Sequence, residues 1–243
     1  MKRIVKPELL DELPPHDPRA VRSRRDLRRV NAWMRNHVIM AGALKRNLNG
    51  LVPEQITELG AGDGSFLLRV AQRLAAFGVP PSGGSDRLKP GFQTEPGRTI
   101  LLDRQNIVSA ETLAAFEKSG WHAEAVVADV FDWPPAPAQV VIANLFLHHF
   151  EDARLAGLLR TISGRAKLFI AVEPHRFRYS MLCGQLLWLI GCSAVTRHDA
   201  ALSVRAGFIR QEISALWPEG KDWHLTERRA GLFSHLFVAR RIS

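Results

Sequence analysis

Three stretches of the chain hold residues whose types and spacing suit chemistry. The first is Glu58-Leu59-Gly60-Ala61-Gly62-Asp63-Gly64. Three glycines at alternate positions let the backbone turn tightly, and let a ligand approach where a Cβ would clash. The second is Leu101-Leu102-Asp103. A carboxylate ending an apolar run offers two acceptor oxygens, which suits both hydroxyls of a ribose. The third is Asn144-Leu145-Phe146-Leu147-His148-His149. An imidazole with a pKa of about 6.5 can deprotonate a phenol or an enol at neutral pH. Such a base is worth ~10²–10⁴-fold in rate. Each stretch taken singly also has a plain structural reading: a strand-to-helix turn, a strand-end aspartate, a pair of surface histidines.

The surrounding pattern must place these residues together. Gln55–Leu59 reads as a short buried strand running into the glycine turn, and 65–77 as a helix with Phe66, Val70, Leu74 and Phe77 on one face. Strands follow at 99–102, 123–128, 139–146 and 166–172. Between them stand a helix capped by Ser109 and ending at Gly120, and another at 151–162 with Leu155, Leu158, Leu159 and Ile162 on one face. Further helices are expected at 179–190 and 198–206, and two closing strands at 208–216 and 232–239. Before the first strand, 19–47 reads as one or two amphipathic helices with an arginine-rich outer face. Repeated strand–helix alternation predicts an α/β fold with a doubly wound, mostly parallel sheet and right-handed crossovers, closed by an antiparallel C-terminal pair. Ligands in such sheets sit beyond the carboxyl ends of the strands. The expected organisation is a basic helical extension over 1–50 and one main domain over 51–243. That domain carries a Pro/Gly-rich inserted loop at 79–98 and a helical excursion at 175–206 on the acceptor side.

The glycine turn does not fit the dinucleotide fingerprint, whose third glycine would fall at Ser65. Its pattern, E-x-G-x-G-x-G, resembles the first motif of class I S-adenosylmethionine-dependent methyltransferases. The fourth strand end, N-x-x-L-H-H, resembles the corresponding motif of the ubiquinone and menaquinone biosynthesis methyltransferases and their small-molecule relatives. Glu173-Pro174, ending the fifth strand, is similar to that group as well. Together these matches span 55–175 in the expected order. The resemblance implies a Rossmann-like seven-stranded sheet, S-adenosyl-L-methionine as cofactor and S-adenosyl-L-homocysteine as product. It implies that Glu58, Gly60, Ala61, Gly62, Gly64 and Arg104 bind the cofactor, with Asp103 at the ribose. Asp129 would meet the adenine amino group and the Val130 backbone amide a ring nitrogen. Asn144 would line the methionyl part, Leu145 beside it would also bind the cofactor, and one of His148 and His149 would face the acceptor. His149 is favoured because it matches the second histidine of the motif. Asp103 lies 39 residues beyond Gly64, farther than the usual separation of about 20, and the 79–98 insertion accounts for the excess.

A sulfonium methyl needs no metal for the bond change, and none is expected. What the protein must supply is in-line positioning, worth roughly 7–11 kcal/mol, and management of one proton. The excursion is rich in large apolar residues, from Phe177 to Ile190, and suits a lid over a lipophilic phenolic, polyketide or quinone-like acceptor. Oxygen, carbon and nitrogen acceptors all stay open.

Composition bounds the rest. The chain has 243 residues, 46% apolar and 23% charged, which excludes wholesale disorder, collagen and rod-like coiled coil. Two cysteines, Cys183 and Cys192, make neither a disulfide framework nor a four-cysteine zinc site. They read as reduced thiols, and with no apolar segment after the charged start a cytoplasmic location is expected. Residues 1–50 hold 12 Lys/Arg against 5 Asp/Glu, a balance of +7 out of +9 for the whole chain. A basic segment on a nearly neutral body suits nucleic acid, an anionic membrane surface or an acidic substrate. Methyltransferases acting on exocyclic amines of nucleic acids usually carry N/D-P-P-Y/F after the fourth strand. Asn144-Leu145-Phe146-Leu147 lacks both prolines, so a nucleic-acid partner is disfavoured. A non-enzymatic cofactor-binding protein of the same fold is the other alternative. A small-molecule acceptor and peripheral membrane contact through the basic segment are the expected partners.

Overall fold

The computed structural model describes residues 2–49, 53–75, 97–133, 140–177 and 186–242. Seven strands form one sheet: β1 (Gln55–Leu59), β2 (Gly97–Asp103), β3 (Trp121–Val127), β4 (Val140–Asn144), β5 (Leu168–Pro174), β6 (Trp223–Ala230) and β7 (Ser234–Arg241). Their order is β3-β2-β1-β4-β5-β7-β6. β1 to β5 are parallel, and β7 runs antiparallel between β5 and β6. Strand order reverses at β1/β4, so the carboxyl ends of those two strands flank the crevice where ligands collect.

The helices are α1 (Leu9–Glu12), α2 (Pro18–Met34), α3 (Asn36–Asn47), α4 (Ser65–Ala75), α5 (Ala110–Lys118), α6 (Asp152–Arg165), α7 (Ala194–Ala206) and α8 (Glu212–Leu216). Parallel strands covered on both faces must be apolar on both, because successive side chains point opposite ways. In β4, Val140 and Ile142 join the core beneath α3, α4 and α5, while Val141 and Ala143 join the one beneath α6 and α8. Leu155, Leu158, Leu159 and Ile162 are all fully buried, as their spacing predicts.

Several expectations need correction. The 208–216 run is not a strand. Phe208 makes one isolated parallel bridge to His175, and the chain then turns into α8. The partner of the last strand is β6, which the sequence hides. Its Glu227 lies inside the fold, where its two carboxylate oxygens accept from the backbone N–H of Ile213 (3.0 Å) and Ser214 (2.7 Å) at the start of α8. A charge serving a neighbouring helix breaks the apolar alternation that would mark a strand. β2 begins at Gly97, two residues before the strand expected from Thr99; 79–96 of the inserted loop expected at 79–98 lies outside the described residues. The helix expected over 179–190 falls largely on 178–185, also outside it. Leu186–Ile190 forms a 3₁₀ turn, and α7 starts at Ala194 with Ser193 as its cap.

The basic segment 1–50 is tied in at both ends. α2 and α3 meet at Arg35, whose φ of 58° is left-handed. Met40, Ala41, Ala43 and Leu44 of α3 are buried in the main core. α2 packs on α7 through Ser23 and Asp26, both 1% exposed: the Ser23 and Thr196 hydroxyls lie 3.0 Å apart, and Asp26 accepts from the Ser193 backbone (2.7 Å). Among the described residues no helix is long and apolar enough to cross a membrane.

Candidate active site

The glycine turn leaves β1 at the switch point. Gly60 and Gly62 both have positive φ, 67° and 56°, which side chains rarely tolerate. They differ in what surrounds them. A Cβ on Gly60 would stand 2.2 Å from the Phe146 ring, so the turn is pressed against the β4 end. A Cβ on Gly62 would meet nothing within 4 Å. The turn thus presents bare backbone to open space at Gly62.

A strand-end carboxylate braces this turn. Asp103 accepts from the backbone N–H of Gly62 (2.8 Å) through one oxygen and of Gln105 (2.8 Å) through the other. Each oxygen keeps acceptor capacity beyond these bonds. Asp129 accepts from the Phe131 N–H (3.0 Å) and caps the 3₁₀ turn Val130–Asp132, in which Val130 is buried. Arg104, mostly exposed, reaches Asp129 only at 3.9 Å. Behind the turn, Glu58 is buried with one carboxyl oxygen unpartnered. Burial and the nearby charges of Asp63 and Asp103 push its carboxyl well above the usual range, against the hydrogen bond from the Leu67 N–H. The site therefore favours its protonated form.

Across the switch point the β4 end is built differently. Leu145 takes a left-handed φ of 51°, which ends the strand and, past Phe146, leads the chain into a 3₁₀ turn, Leu147–His149. Glu173, fully buried at the end of β5, holds that turn. It accepts from the N–H groups of Phe146 (3.0 Å), Leu147 (2.9 Å) and His148 (3.4 Å), and from His148 Nδ1 (2.8 Å). The other nitrogen of His148 faces Glu8 at 3.4 Å. Burial alone would lower the His148 pKa, but hydrogen bonds to Glu173 and Glu8, with their charges, carry it up to about 9. Glu8 would be raised by burial, yet His148, the charge of His149 and the Ser203 hydroxyl bring it down to about 2. His148 is therefore a buried imidazolium between two carboxylates at neutral pH. His149, its neighbour, stays partly exposed and sets Nδ1 3.2 Å from Asp11. Glu8, His148 and His149 each place one potential metal-ligand atom within 4.8 Å of the others.

Asn144 completes this edge. Its side chain donates to Asn31 of α2 (3.2 Å) and accepts from Asn36 of α3 (2.9 Å), and Asn36 accepts from the Ser234 hydroxyl (2.6 Å). α2 reaches the glycine turn too, where Arg28 pairs with Asp63 at 2.7 Å. The N-terminal segment is strapped over the histidines. Arg3 donates to the carbonyls of Phe150 (2.7 Å) and Ala206 (2.8 Å), and the Leu9 and Leu10 amides to Asp199 (2.9 and 3.0 Å).

The structure thus gathers all the sequence-predicted residues, Glu58 through Gly64, Asp103, Arg104, Asp129, Val130, Asn144, Leu145, His148 and His149, along the carboxyl edge of five parallel strands. Sequence reasoning missed Glu8, Asp11, Asn31 and Asn36, whose signals lie more than a hundred residues from their partners. Glu173 was visible as a strand-end residue, but not as the support of the histidine turn.

No protein-family model matches the chain, and no curated protein matches it. The fold is similar to that of solved methyltransferases. The plantazolicin methyltransferase BpumL in complex with S-adenosylhomocysteine superposes with a TM-score of 0.60 at 13% identity, over 93% of this chain and 91% of that one. The mitomycin 7-O-methyltransferase MmcR gives 0.57 at 20% identity, over 96% of this chain and 60% of that one. Magnesium protoporphyrin IX methyltransferase from Synechocystis PCC 6803, also with S-adenosylhomocysteine bound, gives 0.50 at 11% identity, over 86% and 83%. At these identities the likeness establishes a shared fold.

Proposed function

We propose that this chain is an S-adenosylmethionine-dependent methyltransferase whose acceptor is a small lipophilic molecule of phenolic, polyketide or quinone-like type. The observation that carries the reading is the bare backbone of Gly62, braced by Asp103 at the switch point of a β3-β2-β1-β4-β5-β7-β6 sheet. The residues fit the cofactor. Gly60 to Gly64 leave room for close approach, and Asp103 has acceptor capacity left for ribose hydroxyls. Asp129 and the Val130 amide offer an acceptor and a donor for adenine, and Asn144 and Leu145 stand by the methionyl side with Glu58 behind the turn. Arg104 covers the rim. When bound, the cofactor supplies an activated methyl group on a sulfonium. The lipophilic acceptor class rests on the N-x-x-L-H-H resemblance and the apolar excursion, and the similar solved structures include a mitomycin 7-O-methyltransferase and a magnesium protoporphyrin IX methyltransferase.

Within this reading His149 is the base. His148 has both ring nitrogens engaged by carboxylates and carries its proton at neutral pH, so it accepts none in this arrangement and instead positions its neighbour. His149 directs one nitrogen at Asp11, leaving the other to take a proton from an acceptor hydroxyl.

The first test is ligand-linked stability. S-adenosylhomocysteine at 100 times its Kd should stabilise the fold by ~2.7 kcal/mol, a rise of roughly 5–10 °C in Tm for a chain of this size. Gly62→Val and Asp103→Ala should each weaken that binding more than tenfold. A shift with NAD but none with S-adenosylhomocysteine would overturn the reading. Once an acceptor is found, His149→Ala should cut kcat by ~10²–10⁴ with unchanged cofactor affinity.

A further inference from the structure

α2 shows the site one side and solvent another, and the second has no role in methyl transfer. Arg22, Arg25 and Arg29 recur at i, i+3 and i+7 and so share one face. With His16 and Gly191 they line an open groove of about 660 Å³. Asp26, beneath them, is committed to the Ser193 amide, Thr196 and Arg29. Among the described residues neither Arg22 nor Arg25 has an acidic partner, so these two keep their charge, while Asp26 offsets that of Arg29.

Beside the groove stands the 3₁₀ turn Leu186–Ile190. Leu187 points inward, but the next three residues face water: Trp188 is 58% exposed, Leu189 61% and Ile190 48%. Scattered exposed apolar residues are ordinary; three large ones in succession on a turn are not. The turn is joined to the stripe directly, as Arg29 donates to the Ile190 carbonyl at 3.4 Å. Val21, 43% exposed on α2, extends the apolar surface into the groove.

We propose that this face docks on an anionic lipid bilayer, with Trp188, Leu189 and Ile190 entering the interface and Arg22 and Arg25 meeting headgroup phosphates. The chemistry decides the occupant. Tryptophan with aliphatic neighbours suits the headgroup–acyl boundary, and clustered arginines beside it supply the second signal that stable surface binding needs. A nucleic-acid groove would set its aromatics among the cations to stack on bases; here the apolar residues form a wedge of their own at the edge. The +7 balance of residues 1–50 acts in the same direction. Docking is independent of the methyl-transfer reading, though it would bring a lipophilic acceptor to the enzyme.

Flotation of the full chain with vesicles tests this. Wild type should bind phosphatidylcholine–phosphatidylglycerol vesicles, bind pure phosphatidylcholine at least tenfold more weakly, and be released by high salt. Arg22→Ala/Arg25→Ala should lose about 30-fold, at about tenfold for each 1.4 kcal/mol and ~1 kcal/mol for each arginine. Trp188→Ser/Leu189→Ser should lose at least as much. All four residues are exposed, so circular dichroism and the S-adenosylhomocysteine response should match wild type. Brominated acyl chains should quench wild-type fluorescence, and Trp188→Phe should remove the quenching. Three outcomes would overturn the proposal: no binding to anionic vesicles, binding that neither double variant weakens, or capture of an oligonucleotide through the same arginines without lipid quenching.

Discussion

The two sides of the switch point solve the same problem in opposite ways. On the β1–β3 side, the surface that the proposed cofactor would meet is mostly backbone, a glycine turn braced by a carboxylate one strand away. Its conformation follows from local residue type, because only glycine takes those φ values cheaply. On the β4–β5 side the surface is side chains, and each is fixed by something distant in sequence. His148 is held by Glu173 from the next strand and Glu8 from the N-terminal strap, and Asn144 by Asn31 and Asn36. The first kind of site takes its backbone path from its own glycines, with Asp103 bracing it from the next strand; the second depends on partners far along the chain.

That contrast can be broken experimentally, and the largest effect should fall on the side-chain half. Glu173→Gln takes the charge from beneath three amides and an imidazolium. Removing one partner of a buried pair typically costs about 3–5 kcal/mol, and urea unfolding would measure it. If the loss stays below about 1 kcal/mol, Glu173 does not organise the turn.

The backbone half should separate stability from binding. Gly60→Ala drives a methyl group against the Phe146 ring at a left-handed φ and should cost about 2–4 kcal/mol. Gly62→Ala meets no neighbour within 4 Å. It should cost only about 1 kcal/mol for its φ, while S-adenosylhomocysteine affinity falls measurably. Equal destabilisation by the two would mean that the open space at Gly62 is not the ligand's.

Glu8→Gln should cost about 1–3 kcal/mol, and its pH dependence carries the sign. His148 rises from 6.5 to about 9 on folding, so its contribution is complete below pH 6.5 and lost as pH rises toward about 9. Glu8 falls from 4.5 to about 2, so its contribution is complete above pH 4.5 and lost as pH falls toward about 2. Wild type should therefore show a plateau from this pair between those ordinary values, and Glu8→Gln should remove the acid limb and draw the alkaline one toward neutrality. The smallest effect belongs to Arg104→Ala at the exposed rim, within about 0.5 kcal/mol in stability and a few-fold in cofactor affinity.

How much was legible follows the same division. The parallel sheet, the glycine turn, Asp103 and Asp129 could be read because strand apolarity, glycine spacing and strand-end carboxylates are local signals. β6 could not, because Glu227 serves α8 from within the strand, and residues 208–216 mimicked a strand because Phe208 and Ile213 are both core residues. The histidines were legible as a pair but not as individuals. Adjacent residues at a strand end are equivalent in sequence, and only the fold buries one between Glu8 and Glu173 and leaves the other at the surface.

The sequence by itself determined where backbone would be bare and which residue types would stand at the strand ends, since steric freedom and period-two burial belong to each residue and its neighbours. Tertiary structure alone decided protonation, partnership and access. Whether an imidazole is charged, whether an arginine faces the site or the solvent, and whether an N-terminal carboxylate covers a histidine all depend on groups brought within 4 Å from far along the chain. Electrostatic energies depend on that distance and on burial, and neither is written in the order of residues.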